Sequence, residues 1–412
     1  MREMKDSGIE WIGEIPADWN IKRVKAVLCE RNESNNPIQT SKILSLTNDR
    51  GVIPYEEKGD VGNKSKEDLT GYKLAYPGDI VLNSMNVFIG SVGLSSYFGC
   101  VSPVYYMLYP RNKNDSVSFF NYLFQTKELQ TKLHGYGNGI MEIRMKIQMS
   151  KLNSVQLPVP PSDVQQKIAN YLDRKCSQID AIIARQHEVI GKLKAYKLSV
   201  ITEAVTSADS QMCRFRNCIT TIEQGWSPAP AEIVEEDGWF VLSLSAVKNG
   251  KFIKLSKKPI DANANIPTQL SIRIGDLLMT RSNTRELVGD VCLVDSDCPK
   301  TIFSDLIYRI CLNDTLLPCY AIFLLQSAFI RQQIQESARG SSGTMPKISH
   351  KSIKNLNIHL PSIPEQREIS DFLRNKCNYI DTCIQEKEKL IKKLTAYKKS
   401  LIYEVVTGKK EV

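Results

Sequence analysis

The 412-residue chain has no Cys-x-x-Cys pair, only four histidines (His134, His187, His350, His359) with no two at ligand spacing, and no apolar run near the ~20 residues of a membrane span. A zinc site of the usual pattern and a membrane helix are thereby excluded. Its eleven cysteines read as free thiols packed as small hydrophobes in a reducing compartment. The polar opening MREMKDSGIEWIGEIPADW carries no apolar signal core, so a cytoplasmic location is expected. Catalytic motifs are missing as well. A base-flipping adenine methyltransferase needs Asp or Asn followed by Pro-Pro and an aromatic; Ser102-Pro103-Val104-Tyr105 lacks the second proline. A nucleotide-driven motor needs a phosphate-binding loop ending Gly-Lys-Ser/Thr, and Gly62-Asn63-Lys64-Ser65 puts asparagine before the lysine. Asp49, Glu56 and Lys58 could be gathered into a nuclease triplet, but such triplets in polar loops are common by chance. A DNA adenine methyltransferase or nuclease acting alone is the enzymatic alternative, and it has no motif behind it. Neither sign of charge dominates: 54 Lys and Arg against 45 Asp and Glu give a net charge of +9, a moderate excess that suits a polyanionic partner.

What the chain does have is a long repeat. Residues 164 to 206 return as residues 365 to 407, an offset of 365 − 164 = 201, and aligned without a gap 19 of the 43 positions are identical. Each copy follows a proline-rich lead-in, Leu157-Pro158-Val159-Pro160-Pro161 or Leu360-Pro361-Ser362-Ile363-Pro364. Prolines end the preceding strand and are tolerated in a helix's first turn. In the first copy apolar residues recur at Ile168, Leu172, Ile179, Ile183, Ile190, Leu193, Val200 and Ala204, and the second repeats the spacing from Ile369 to Val405. Steps of three, four and seven predict two long helices with a coiled-coil seam. At 1.5 Å per residue each would be roughly 60 Å long and would project, with the other as its natural antiparallel partner. Shared polar positions, Gln165/Gln366, Lys192/Lys393, Lys197/Lys398, Ser199/Ser400 and Glu203/Glu404, exceed what a packing seam requires. Among these, Gln165, Gln366, Lys192, Lys393, Glu203 and Glu404 are the expected contacts with a partner used twice.

The segments ahead of the helices share a skeleton: Gly78-Asp79 precedes the strand-like run Ile80 to Leu82 and a second run after Gly90, and Gly275-Asp276 precedes Leu277 to Met279 and a second run after Gly289. A Gly-Asp turn, strand, polar loop and strand read as a hairpin in an α+β unit. Runs 119 to 129 and 320 to 334 read as short amphipathic helices. The loops differ where the strands agree, and loop residues on a rigid sheet are free to vary. Asn83 and Asn86 stand in one; Arg281, Asn283 and Arg285 in the other, side chains that pair bidentately with guanine and adenine edges. A second glycine-rich basic element precedes each lead-in, with Asn138, Arg144 and Lys146 in the first and Ser341, Ser342, Thr344 and Lys347 in the second. Small and basic residues suit backbone contact with phosphate.

The opening Gly8-Ile9-Glu10-Trp11-Ile12-Gly13-Glu14-Ile15-Pro16 with Trp19, the Gly-Asp elements, the Pro-x-x-Glu-Gln-Arg-x-Ile lead and the two-fold repetition together resemble the DNA-specificity subunit of type I restriction-modification enzymes. The first lead-in departs from the pattern, with Val164-Gln165-Gln166 where the second has Glu365-Gln366-Arg367. The resemblance implies an α+β chain with two target-recognition domains, residues 1–150 and 207–350. Spacer segments 151–206 and 351–412 would pair as an antiparallel coiled coil with pseudo-two-fold symmetry. It implies a non-catalytic, DNA-binding subunit reading a split, asymmetric site in double-stranded DNA. Two methyltransferase subunits and motor-nuclease restriction subunits would be its partners, and S-adenosylmethionine, ATP and Mg would belong to them.

Overall fold

The Gly-Asp turns occupy the same place in two four-stranded antiparallel sheets. The computed structural model describes all residues except 1, 49, 60–64, 86–89, 137–145, 207–209, 230, 232–237, 262 and 339–344. It divides into two units, residues 1–185 with 389–412 and residues 186–388. In the first, β1 (Leu28–Arg31), β2 (Ile80–Asn83), β3 (Val92–Leu94) and β4 (Tyr105–Pro110) stand in the order β1-β4-β2-β3. In the second, β5 (Ile219–Gln224), β6 (Leu277–Thr280), β7 (Val291–Leu293) and β8 (Ile307–Leu312) repeat it as β5-β8-β6-β7. Gly78 and Gly275 have φ of +89° and +92°, a left-handed turn conformation that glycine adopts without steric cost. The aspartate that follows closes the turn and anchors an arginine. Asp79 accepts from the Tyr76 amide (2.9 Å) and Arg31 Nε (3.0 Å); Asp276 accepts from the Arg273 amide (2.9 Å) and Arg309 Nη1 (3.1 Å).

Helices α1 (Val117–Phe124), α2 (Lys127–His134) and α3 (Met149–Ser154) lead in the first unit to the long helix α4 (Ser162–Thr206). Helices α5 (Pro318–Gln326), α6 (Ala328–Ser337) and α7 (His350–Lys354) lead likewise to α8 (Ile363–Val406). The short helices expected over 119 to 129 and 320 to 334 are thus each a pair. The breaks fall at Thr126 and Ser327, whose hydroxyls donate to the Leu123 and Leu324 carbonyls at 2.7 Å, a local alternative to continuing the helix. Ahead of each long helix the lead-in forms a strand: Gln156–Val159 pairs with Asn20–Arg23, and Asn357–Leu360 with Gln211–Arg214.

The long helices run antiparallel. In the first unit Lys398 Nζ lies 2.7 and 2.6 Å from the two Asp180 oxygens. In the second, Lys197 Nζ lies 2.8 Å from Asp381 Oδ1, and Lys251 pairs with the other oxygen at 2.7 Å. Going from Asp180 to Lys197 along α4 corresponds to going back from Lys398 to Asp381 along α8 (197 − 180 = 398 − 381 = 17). Four of the eight seam residues predicted in the first copy and five of the eight in the second are buried and the rest half-buried, while Ile201, Val205, Ile402 and Val406, each one position past a predicted one, are buried too. Ile168, Leu172 and Ile179 of α4 enter the first unit's core with Leu401, Ile402, Val405 and Val406 of α8; Ile201 and Val205 of α4 enter the second unit's core with Leu373.

Two expected partner contacts are corrected here. Gln165 and Gln366 have no exposed surface. Gln165 Oε1 accepts from the Ser116 amide (3.0 Å) while Nε2 donates to the Pro160 carbonyl (2.9 Å). Gln366 Oε1 accepts from the Leu317 amide (2.8 Å) while Nε2 donates to the Thr315 and Pro361 carbonyls (2.9 Å each). These glutamines satisfy backbone groups at the starts of α1 and α5 that have no intrahelical partner, and that internal duty explains their recurrence. The matched lysines Lys197 and Lys398 recur for the same kind of reason, as the reciprocal ion pairs show. Lys192, Lys393 and Glu203 are exposed, and Glu404 is half-buried, accepting from Ser400 Oγ at 2.6 Å.

Candidate nucleic-acid interface

In the second unit the two elements singled out by sequence lie side by side. The Ile348 amide donates to the Arg281 carbonyl (2.9 Å) and the Asn283 amide to the Pro346 carbonyl (3.3 Å), with Ser282 and Lys347 paired as an antiparallel bridge. Residues 65 positions apart in the chain (347 − 282 = 65) therefore meet at the end of β6. They border a groove of about 950 Å³ lined by Gln224, Arg281, Tyr308, Lys347, His350 and Asn355 among others. Tyr308 Oη donates to the Ile348 carbonyl (3.3 Å) and its ring meets that of His350 edge-on at 4.5 Å. Burial pushes the Tyr308 hydroxyl pKa up, against the pull of Arg281. Burial, then Lys354 and Arg281, push the His350 pKa down, which favours the neutral ring. The lining thus carries three cationic side chains, Arg281, Lys347 and Lys351, against the one carboxylate Glu336, among neutral hydrogen-bonding groups, a combination suited to phosphate contact beside base contact.

The first unit repeats the arrangement with other side chains. The Ile147 amide donates to the Ser84 carbonyl (3.0 Å), and Tyr106 Oη donates to the Ile147 carbonyl (2.9 Å). Ser84 thus stands where the second unit has Arg281, and Met149, 201 residues before His350, where the second unit has the imidazole. The backbone pairing and the tyrosine are kept while the flanking side chains change.

Of the expected readers, Arg281 and Asn283 are half-buried, and Arg285, Lys146 and Lys347 are exposed. Asn283 Oδ1 accepts from the Thr284 amide (2.9 Å). Asn83 is corrected: it is 8% exposed and its Oδ1 accepts from the Met85 amide (3.0 Å), so it shapes the turn after β2. Asn86, Asn138, Arg144, Ser341, Ser342 and Thr344 lie outside the described residues. Tyr106, Tyr308 and His350 were missed. The tyrosines could have been found, since Ser102 and Ser304 each stand four residues before one of them; nothing in the sequence marks His350. Among the described residues no three His, Cys, Asp or Glu side chains gather as a metal site, and no helix is long and apolar enough to cross a membrane.

Residues 16–191 and 249–396 match the family described as the type I restriction modification DNA specificity domain. Relatives include the EcoEI specificity subunit of Escherichia coli, 28% identical over 184 residues, which are 44% of this chain and 30% of that one. The EcoKI specificity subunit of Escherichia coli K12 is 25% identical over 278 residues, 64% of this chain and 59% of that one. The match therefore spans less than two thirds of either relative. The MjaVIII specificity subunit of Methanocaldococcus jannaschii is 22% identical, with 96% and 93% covered. In fold, the chain is similar to one from a structure of type I R-M complex assembly and conformational transition (TM-score 0.70, 13% identity, 95% and 98% covered). It is also similar to the HsdS subunit from Thermoanaerobacter tengcongensis (TM-score 0.50, 12% identity, 96% and 98% covered).

Proposed function

The chain belongs to the family of type I restriction-modification DNA specificity domains, and from that premise we infer that it is the DNA-reading subunit of such an enzyme. One observation carries the reading: each unit brings two distant segments together at the corresponding place on its own sheet, with Ser84 beside Ile147 in one and Arg281 beside Ile348 in the other. A common scaffold with different side chains suits two different half-sites, so the target is split and asymmetric. The moderate basic excess supports a duplex as ligand. The missing methyltransferase and motor motifs support a non-catalytic role, with S-adenosylmethionine, ATP and Mg bound by methyltransferase and motor-nuclease partners. The exposed Lys192, Lys393 and Glu203 support docking of the same methyltransferase subunit twice. The test is methylation mapping of DNA exposed to the chain with its cognate methyltransferase subunit and S-adenosylmethionine. A bipartite, non-palindromic motif that disappears when this chain is omitted is expected. A palindrome, methyl transfer by the chain alone, or methylation independent of it would refute the reading.

A further inference from the structure

Behind the loop that joins β6 to β7 stand two charged groups, Arg331 and Asp290. Arg331 of α6 donates from Nη2 to the Glu286 carbonyl (2.8 Å), and its buried Nη1 has no hydrogen-bond partner among the described residues. Asp290, 8% exposed, accepts from the Val291 amide (2.9 Å) and from the Asn249 amide (2.5 Å) in the turn of a neighbouring hairpin. The remaining contacts knit the loop shut. Thr280 Oγ1 donates to the Leu287 carbonyl (2.8 Å) and accepts from the Asp290 amide (3.0 Å), while the Val288 amide donates to the Thr284 carbonyl (2.9 Å). Gly289, at φ +69°, lies so close to α6 that a Cβ would stand 2.8 Å from Ile334 Cγ2 and 3.6 Å from Arg331 Nη1.

Taking a guanidinium out of water is costly, and burial pulls the Arg331 pKa down with Asp290 opposing. A hydrocarbon side chain would pack against the sheet without that cost. What the guanidinium adds is a bond to the loop backbone and a charge beside Asp290, and Arg stays protonated at any working pH. We propose that Arg331 is a positioning residue for the second half-site: its bond to the Glu286 carbonyl fixes the backbone of residues 281–289, while the Asp290 carboxylate ties the start of β7 to the neighbouring hairpin, so that Arg281, Asn283 and Arg285 are presented to the duplex in one geometry. A loop already held in its bound conformation loses less entropy on binding. The corresponding residue in the first unit, Gln130 (331 − 201), stands beside Gly90, so the same helix position there carries an uncharged side chain.

The inference rests on the DNA-reading function above, and the experiment separates the two. Full-length chain first selects duplexes from a randomised library; binding to the winner and to its single-base variants is then compared for wild type, Arg331→Met, Arg331→Lys and Gly289→Ala. In Arg331→Met, discrimination in one half-site should fall about tenfold, equivalent to about 1.4 kcal/mol. Discrimination in the other half and affinity for random duplex should stay within about twofold, with no loss of secondary structure. Arg331→Lys, which keeps the charge without the fork, should fall between, and Gly289→Ala should reproduce the same one-sided loss by displacing the loop from α6. Equal loss in both halves, equal loss for all sequences, or unchanged discrimination in a folded variant would overturn the proposal. Should Arg331→Met fail to fold, Gly289→Ala and Arg331→Lys decide it by the same criteria. A wild-type chain that selects no sequence would instead end the DNA-reading function, and this inference with it.

Discussion

Arg281 and Lys347 lie on paired segments, yet their surroundings suit them to different contacts with the proposed duplex. Arg281 is half-buried and donates from Nη1 to the Asp305 carbonyl (3.3 Å), so its guanidinium has few orientations to choose among. Lys347 is exposed, a mobile charge on a flexible stem. Arg281→Ala should therefore cost about 1–3 kcal/mol at one base pair, and Lys347→Ala should weaken all sequences alike while lowering the salt slope by about one unit. Titrations over a set of permuted duplexes at several salt concentrations would measure both, and coincident profiles would defeat the distinction. Asp381 gives a second prediction. Burial raises its pKa, but the bonds from Lys197 and Lys251 outweigh burial and leave it below the ordinary carboxylate value. A depressed folded pKa adds stability above the unfolded value near 3.9, and that stability is lost as pH falls through the lower folded value. Wild type should thus exceed Asp381→Asn in urea unfolding at pH 7, with the gap closing below about pH 4. A gap that persists at acid pH would show that packing, not charge, makes the difference.

The long helices were the most legible elements, because a seam repeated over many turns is a signal that local propensity cannot mask. Their bounds in the structure, Ser162–Thr206 and Ile363–Val406, lie within two residues of those read from the pattern. Short elements were less legible. A strand of three or four residues such as Val92–Leu94 carries too few alternations, and the breaks at Thr126 and Ser327 depend on hydroxyl bonds that composition does not reveal. Repetition of polar residues had two causes that sequence could not separate. Gln165, Gln366, Lys197 and Lys398 recur because of contacts inside the chain, whereas Lys192 and Lys393 are exposed. The site was legible as residue types on two loops; that Lys347 pairs back onto Ser282, and that His350 joins them, requires the fold. Antiparallel pairing predicts proximity of Ile183 to Leu394 and of Leu193 to Ile384, so cysteines at either pair should cross-link within one chain under mild oxidation. Products only between chains would contradict it.

The division of the whole chain does not follow its repeat. The first unit is completed by residues 389–412: Leu401, Ile402, Val405 and Val406 are buried in its core, Tyr403 Oη donates to the Trp11 carbonyl (2.9 Å), and Gly408 abuts Pro16 and Trp19. Four buried aliphatic side chains at about 1.5–3 kcal/mol each amount to as much as a domain's entire stability. Deleting residues 389–412 should therefore unfold the first unit and spare the second. Hydrogen exchange would show this as lost protection in residues 1–185; loss in residues 207–350 instead would refute it.

The reciprocal ion pairs reach further than stability. Asp381 and Lys398 are Asp180 and Lys197 displaced by 201 positions, so the two bridges are one contact made twice, once in each unit with the helices exchanging roles, the reciprocity that an isologous contact between two copies requires. Such a chain has the form of two protomers fused end to end after a gene duplication. Residues 1–206 alone still carry both halves of the contact, and Val200, Ile201, Ala204 and Val205 stand where Leu401, Ile402, Val405 and Val406 complete the first core. Expressed separately, that half should form a homodimer by light scattering. Lys197→Asp should weaken it and the exchange Asp180→Lys with Lys197→Asp restore it. On the DNA-reading function proposed above, such a homodimer should select a palindrome from a randomised duplex library, in place of the asymmetric site expected of the whole chain.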